Sequence, residues 1–127
     1  MQFKPQFLII EDNLIDQFII KKLLKKGLDI NPLFIANNGK EGIDWLVQNP
    51  DHKSLIILLD IQMPIMNGFE FLAEFATLEE NLKAKIEIFV LSSTLDIDEI
   101  KKVKNNKYVS DFWNKPLRLD LLESISL

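Results

Sequence analysis

The sequence predicts a doubly wound α/β domain, in which helices cover both faces of a parallel sheet. Short apolar runs begin near residues 6, 33, 55, 86 and 108 and alternate with segments of helical period, which is the pattern of repeated β-α units. Polar residues close several of these runs. In parallel α/β sheets, ligands bind in the crevice outside the carboxyl ends of the strands, so these residues indicate a functional site there.

Size and composition limit the possible functions. A chain of 127 residues has room for one domain, and we expect that domain to span residues 1–127. With 47% hydrophobic and 27% charged residues, the composition is that of a soluble globular protein. A formal net charge of -4 argues against binding of nucleic acid, which requires a basic face.

Targeting and redox signals are absent from the sequence. There is no cysteine, so disulfides are excluded. No apolar run is long enough to span a membrane, and the first residues lack the pattern of a signal peptide. We therefore expect a cytoplasmic protein with no membrane partner.

The first predicted helix follows the first strand. Asn13 is expected to cap it, and Gly27 is expected to end it. Its apolar residues recur at near-helical spacing, and we expect this face to pack on the sheet. These residues are Leu14, Ile15, Phe18, Ile19, Leu23 and Leu24.

The second and third predicted helices begin with the same signal. Asn38 has Glu41 three residues on, and Asn67 has Glu70, which is the arrangement of a capped helix start. The predicted apolar faces are Ile43, Leu46 and Val47 in the second helix, and Phe69, Leu72 and Ala73 in the third.

The last two predicted helices differ in how firmly they are anchored. The fourth, about residues 96–105, has a thin apolar stripe of Ile97, Ile100 and Val103, so we expect it to be the least firmly held. The fifth is expected to begin at Pro116 and to run to the end of the chain. Its apolar residues are Leu117, Leu121 and Ile125.

Five strands and five helices with right-handed crossovers define the expected architecture. It is a three-layer (βα)5 sandwich around a parallel five-stranded sheet of flavodoxin-like order 2-1-3-4-5. Strands 1 and 3 are then neighbours at the point where the strand order reverses.

The residues at the strand ends suggest a metal and phosphoryl site. Glu11 and Asp12 end the first run, Asp60 the third and Ser92 the fourth, and Lys115 follows the fifth. Two carboxylates about 4 Å apart repel each other by roughly 4 kcal/mol at an effective dielectric near 20, so a bound cation would stabilise them. Mg²⁺ takes oxygen ligands, and we expect Asp12 and Asp60 to bind it directly.

Together these motifs resemble the response-regulator receiver domain of two-component signalling over nearly the whole chain. The intervals between them are each long enough to hold the intervening β-α elements. The matching segments are residues 7–13, 58–68, 90–93 and 111–116.

The resemblance implies a role for each strand-end residue. Asp60 would accept a phosphoryl group from a histidine kinase or a phosphotransfer protein. Mg²⁺ would also bind the main-chain carbonyl of Gln62, with Glu11 acting through a water. Ser92 and Lys115 would bind phosphoryl oxygens.

The resemblance further implies a switch that changes protein contacts. Inward movement of Ser92 would let Phe112 turn inward, so that the fourth helix, fifth strand and fifth helix present a new face to a downstream effector protein. Gln62 and Thr94 would tune the lifetime of the phosphoaspartate. The domain would act by itself as a stand-alone receiver and would be no enzyme beyond its own phosphorylation and dephosphorylation.

Two other functions remain open on sequence grounds. A degenerate receiver could serve as a constitutive interaction module, although every reactive position is filled. A phosphatase or dehalogenase typically needs a second Asp two residues after the nucleophile, whereas position 62 is Gln. We interpret His52 as a surface loop residue without a role, and Trp45 and Trp113 as packing residues.

Overall fold

A computed structural model describes residues 5–30 and 33–125. It contains one five-stranded sheet of order 2-1-3-4-5, in which all neighbouring strands are parallel. The predicted fold class and strand order are therefore confirmed. The strands are β1 (Gln6–Ile10), β2 (Leu33–Ala36), β3 (Leu55–Leu59), β4 (Ile86–Ser92) and β5 (Val109–Asn114).

Six α-helices connect or follow the strands in the described part of the chain. A single-turn helix that was not predicted, α4, precedes β4, so the predicted fourth and fifth helices are α5 and α6. None of the described helices is long and apolar enough to span a membrane. The helices are α1 (Leu14–Leu23), α2 (Gly39–Gln48), α3 (Gly68–Ala76), α4 (Glu80–Lys83), α5 (Ile97–Lys104) and α6 (Leu119–Glu123).

The sheet separates two hydrophobic cores, because successive side chains of a strand point to opposite faces. In β1, Leu8 and Ile10 pack with α2, α3 and α5. Phe7 and Ile9 pack with α1 and α6 on the other face. All four side chains are fully buried, and each such burial contributes about 1.5 to 3 kcal/mol. The strand ends are thus held on a rigid platform.

The three predicted asparagine caps are confirmed. The Asn13 side chain accepts hydrogen bonds from backbone N–H groups in the first turn of α1, and Asn38 does the same for α2. Asn67 and Glu70 form a full capping box at α3, in which each side chain accepts from the other's backbone N–H. Such a cap stabilises a helix by about 1 kcal/mol, so polar residues fix where these helices begin.

Helix α1 is rotated relative to the prediction. Gln17, Ile20 and Leu24 face inward, whereas the predicted packing residues Leu14, Ile15 and Phe18 are 75%, 70% and 56% exposed. Gln17 explains the difference. Its side-chain amide donates to the main-chain carbonyl of Glu11 and, at 2.9 Å, to the Asn37 side chain. These bonds tie α1 to the ends of β1 and β2 and leave an apolar strip in solvent.

Gly27 does not end the first helix. The chain continues from α1 as a π-helical turn, Leu24–Leu28, and Asp29 then adopts a left-handed conformation with φ 52°. A Cβ atom at position 27 would collide with the side chain of Leu119 in α6. The glycine therefore allows close packing between the π-turn and α6.

The inward faces of α2 and α3 also differ in part from the predicted ones. Leu46 is buried as expected, but Val47 is 59% exposed and Ala73 is exposed. In α3 the buried side chains include Phe71 and Phe75, which lie one turn apart and stack at 6.0 Å between ring centroids. The larger aromatic side chains thus take the core positions of this helix.

Helix α5 has the thin anchorage that its sequence predicts. Val103 is fully buried, whereas Ile97 is 68% exposed. Helix α6 begins at Leu119 and not at Pro116, because Leu117 turns into the core and Arg118 is extended. It ends at Glu123, and the expected continuation to the chain end falls partly on residues outside the described ones.

The interpretation of His52 as a surface residue is wrong, whereas Trp113 packs as expected. Trp113 is 4% exposed and stacks on Phe89. The His52 side chain is buried in the segment before β3, and no described residue hydrogen-bonds either ring nitrogen. Burial lowers the pKa of His52, and Lys85 lowers it further.

Acidification should therefore destabilise the fold through His52. The unfolded chain has the ordinary histidine pKa of 6.5 and the folded chain a lower one, so the folded state binds fewer protons. This contribution to stability is complete above the unfolded pKa and is lost as the pH falls below it. Urea unfolding of the wild type and of His52→Phe between about pH 7.5 and 5.5 measures the effect. The variant should lose less stability on acidification, and equal losses would contradict this assignment.

Candidate functional site

The carboxyl ends of the strands surround a polar cleft with a volume of about 270 Å³. Its walls come from the loops that follow β1, β3, β4 and β5. The lining residues are Glu11, Asp12, Asn13, Asp16, Asp60, Gln62, Ser93 and Lys115. Residues far apart in the sequence thus meet at one end of the sheet.

Lys115 faces three carboxylates in this cleft. Its Nζ lies 2.6 Å from Glu11 Oε1, 2.8 Å from Asp16 Oδ2 and 3.6 Å from Asp60 Oδ2. The backbone N–H of Lys115 donates to the main-chain oxygen of Ser92, which fixes the end of β5 beside β4. The lysine is therefore directed at the predicted acidic residues.

The predicted acidic residues form a group suited to a cation. Glu11, Asp12 and Asp60 each offer one carboxylate oxygen, and these oxygens lie within 4.8 Å of one another. Hard divalent cations such as Mg²⁺ prefer oxygen ligands. The donor chemistry and the concentration of negative charge therefore fit such an ion.

Burial changes the protonation equilibria of the site. It raises the pKa of Glu11 to about 7, although Lys115 acts in the opposite direction. Burial also raises the pKa of Asp60, again against the effect of Lys115. For Lys115, burial favours the neutral form, but the contacts with Asp16 and Glu11 outweigh it and hold the pKa above its ordinary value. The negative charges of Glu11 and Asp60 are thus only partly balanced by Lys115, whereas the Lys115 ammonium keeps its positive charge.

Backbone contacts hold Asp60 at the end of β3. Its N–H donates to the Ile10 carbonyl at 3.0 Å, and its Oδ1 accepts from the N–H of Ile61 at 2.8 Å. Gly68 permits this arrangement, because a Cβ atom there would lie 2.6 Å from the main-chain oxygen of Asp60. The first residue of α3 therefore packs directly on the loop that carries Asp60.

Glu11 is held just as firmly at the end of β1. It is 2% exposed, and its Oε2 accepts from the backbone N–H of Asn13 at 3.0 Å. The N–H of Glu11 donates to the carbonyl of Ala36 at the end of β2. The following residue, Asp12, is exposed at the mouth of the cleft.

Ser92 lies beneath the cleft and connects it to α5. It is 1% exposed, and its Oγ accepts from the N–H of Thr94 at 3.1 Å. The Thr94 hydroxyl in turn donates to Glu99 Oε1 at 2.6 Å and accepts from the N–H of Asp96, the cap of α5. The neighbouring Ser93, which was not predicted, lines the cleft itself.

Gln62 and Phe112 are the remaining predicted residues. Gln62 lines the cleft with an exposed side chain. Phe112 is half-buried and packs against the core that includes α5.

The sequence did not predict a role for Asp16, which also lines the cleft. It lies four residues after Asp12 and three after the cap Asn13, a spacing that places an acid of the first helical turn at the same strand end.

Comparisons with known proteins identify similar domains. A family model described as the response regulator receiver domain matches residues 7–126. A receiver protein from Dyadobacter fermentans is 36% identical in sequence, with a TM-score of 0.84 over 94% of this chain and 92% of that one. Two-component response regulator 24 of Arabidopsis thaliana is 30% identical over 93% of this chain and 78% of its own length.

Some relatives are much longer than this chain. Hybrid signal transduction histidine kinase I of Dictyostelium discoideum is 34% identical over 98% of the chain, which spans 7% of that kinase. The similarity therefore concerns one domain of the kinase.

Removal of one acid tests the proposed cation site. Asp12→Asn removes an expected cation ligand. The described ion pairs of Lys115 do not include Asp12, so loss of this negative charge should leave the metal-free variant at least as stable as the wild type. Mg²⁺ at about 100 times its Kd should stabilise the wild type by about 2.7 kcal/mol and the variant much less. Thermal unfolding in EDTA and in Mg²⁺ measures both effects.

Asp44→Asn is the matched control. Asp44 pairs with Lys40 on the surface of α2, away from the lining residues of the cleft, so this variant should respond to Mg²⁺ as the wild type does. A full Mg²⁺ response in Asp12→Asn would argue against this site.

Proposed function

The chain belongs to the response-regulator receiver family of two-component signalling, and on that premise we propose that it is a Mg²⁺-dependent phosphoacceptor with Asp60 as its site. The domain spans residues 1–127. The observation that carries the proposal is that Asp60 lines one cleft with Glu11, Asp12 and Lys115, whose Nζ lies 3.6 Å from Asp60 Oδ2. A phosphoryl acceptor needs this combination, because a carboxylate and a phosphoryl donor are both anionic.

The acids divide into direct and indirect cation ligands. Asp12 and Asp60 would hold Mg²⁺ directly, with a third oxygen from the main-chain carbonyl of Gln62, and Glu11 would act through a water. When bound, Mg²⁺ supplies the positive charge that draws carboxylate and phosphoryl oxygens together.

Asp60 then acts as the nucleophile. A carboxylate oxygen forms a bond to phosphorus, and the P–N bond of a phosphohistidine on a histidine kinase or phosphotransfer protein breaks, with its electron pair staying on the imidazole nitrogen. Lys115 and Ser92 donate hydrogen bonds to phosphoryl oxygens and stabilise the acyl phosphate. Water later attacks the phosphorus atom, the P–O bond to Asp60 breaks, and inorganic phosphate leaves with the carboxylate restored. The domain therefore performs no chemistry on other substrates.

The surface around the cleft supports a protein as the phosphoryl donor. The exposed strip of α1 lies next to the cleft residues Asn13 and Asp16. Ile65, 77% exposed and held at φ 69° in the loop after β3, and Leu95, 85% exposed in the loop after β4, add apolar surface near the same strand ends. A small phosphorylated metabolite would not need apolar contacts of this kind, whereas a helix of a partner protein would bury them.

Phosphorylation changes the face formed by α5, β5 and α6. Ser92 is linked through Thr94 to the first turn of α5, and that helix is anchored by one fully buried side chain, Val103. When Ser92 turns to a phosphoryl oxygen, the hydrogen bond from Thr94 is disturbed and α5 shifts. Phe112, half-buried beside α5, moves into the space released. A downstream effector protein then binds this face, and Thr94 and Gln62 tune the phosphoaspartate lifetime.

The remaining parts of the proposal concern location and alternatives. We propose a cytoplasmic location with no membrane partner, and the acidic net charge argues against a nucleic-acid partner. A degenerate receiver that acts as a constitutive interaction module is the main alternative function. A hydrolytic phosphatase is disfavoured by Gln62, which stands where such enzymes carry a second acid.

Incubation with acetyl phosphate tests the proposed acceptor. In the presence of Mg²⁺ the wild-type chain should gain the mass of one phosphoryl group, because Asp60 can attack this small donor directly. Intact mass spectrometry measures the gain. Asp60→Asn and omission of Mg²⁺ should both abolish it, and Asp44→Asn should leave it unchanged.

A wild-type chain that gains no mass would favour the constitutive module. Turnover of a phosphate ester in large excess would favour a phosphatase.

Substitution of Lys115 separates acceptance of the phosphoryl group from switching. Lys115→Ala should still be phosphorylated by acetyl phosphate, because Asp60 and the cation ligands remain. It should show a weaker difference in partner binding between its two states, since only contacts that differ between states shift an equilibrium. Pull-down of partners by phosphorylated and unmodified protein measures this difference. A difference equal to that of the wild type would refute the role assigned to Lys115.

A further inference from the structure

We propose that Asp16 is a positioning residue, which holds the Lys115 ammonium where it can bind a phosphoryl oxygen on Asp60. This inference rests on the proposed phosphoacceptor function. It adds a residue that neither the acidic group of three nor the strand-end pattern includes.

The first observation is the contact itself. Lys115 Nζ donates a hydrogen bond to Asp16 Oδ2 at 2.8 Å, across 99 positions of the chain. The Lys115 and Asp16 side chains are 14% and 29% exposed, so solvent screens this pair less than a surface pair. The pair joins the first turn of α1 to the segment after β5.

The second observation is that Asp16 itself is fixed. Its backbone N–H donates to Asn13 Oδ1 at 3.0 Å, so it belongs to the capped first turn of α1. The helix is tied to the sheet one residue later by Gln17, whose amide donates to the carbonyl of Glu11. Asp16 therefore presents its carboxylate from a rigid element.

The third observation concerns the other partners of the lysine. Glu11 and Asp60 belong to the group of acids suited to the cation, whereas Asp16 lies outside that group. A cation bound by that group would compete with Lys115 for Glu11 and Asp60. Asp16 is then the carboxylate that can keep the ammonium in the cleft.

The distance between Lys115 and Asp60 is compatible with a phosphoryl group on Asp60. Lys115 Nζ lies 3.6 Å from Asp60 Oδ2, which is longer than the usual range of about 2.7 to 3.2 Å for an N–H···O hydrogen bond. The ammonium therefore has no short hydrogen bond to Asp60 to break before it binds a phosphoryl oxygen attached to that carboxylate. Lysine has a flexible stem and three donors, so one bond to Asp16 restricts the stem and leaves donors free. The cation is thus preorganised for the phosphorylated state.

If Asp16 had a different role, its removal would change phosphoryl binding in the opposite direction. If Asp16 acted as a nearby negative charge alone, it would repel the phosphoryl group, and its removal would strengthen phosphoryl binding. A positioning role requires that its removal weaken binding, and that this effect depend on Lys115.

A double-mutant cycle with beryllofluoride, an analogue of the phosphoryl group, tests the proposal. Its affinity is measured in Mg²⁺ for the full chain and for Asp16→Asn, Lys115→Ala and the double variant. Asp16→Asn should weaken binding about three- to tenfold when Lys115 is present, and less than about twofold in Lys115→Ala. Asp44→Asn removes the acid of another lysine pair and should change nothing.

The outcomes are distinct. An equal effect of Asp16→Asn in both backgrounds, no effect in either, or tighter binding would overturn the positioning role. Failure of the wild type to bind the analogue would instead overturn the proposed phosphoacceptor function. Phosphorylation rates with acetyl phosphate in the same four proteins give the coupling if Lys115→Ala binds too weakly for titration. Thermal unfolding confirms that every variant is folded.

Discussion

The site depends on one constraint: in the part of the chain that the structure describes, the ammonium of Lys115 alone balances the negative charge of several carboxylates at the end of a buried sheet. Within the described residues, Lys115 contacts Glu11, Asp16 and Asp60. Burial disfavours ionised carboxylates, as the raised pKa values of Glu11 and Asp60 show. The resting cleft is therefore short of positive charge. On the proposed function, binding of a cation and then of a phosphoryl group would change which groups share the charge of Lys115, and this would connect binding to conformation.

The fold supplies the constraint because its strands are parallel and the three central strands, β1, β3 and β4, are largely buried on both faces. Their carboxyl ends lie at one edge, so residues at positions 11, 60 and 115 meet although the chain separates them. The same ends carry Ser92, which connects through Thr94 to the weakly anchored helix α5. The sheet thus holds the candidate site, and helix α5, whose buried residue is Val103, is connected to it through two hydrogen bonds.

The sequence predicted the features that depend on strand order, and missed those that depend on side-chain packing. Asp60 and Lys115 could be placed because apolar runs define strand ends. The orientation of α1 could not, because the hydrogen bonds of the buried Gln17 outweigh the apolar period of the helix. Asp16 was missed for the same reason, since its contact depends on that rotation. His52 lies in a polar segment whose burial no periodic pattern indicates.

The central claim is that Lys115 and the acids act as one charge-sharing unit around Asp60. A crystal structure of the chain with Mg²⁺ and beryllofluoride measures this directly. The account predicts beryllium bound to Asp60, a metal ion bound by Asp12 and Asp60, and Lys115 Nζ within hydrogen-bonding distance of both a fluorine atom and Asp16. Beryllium on another carboxylate, or Lys115 turned out of the cleft, would contradict it.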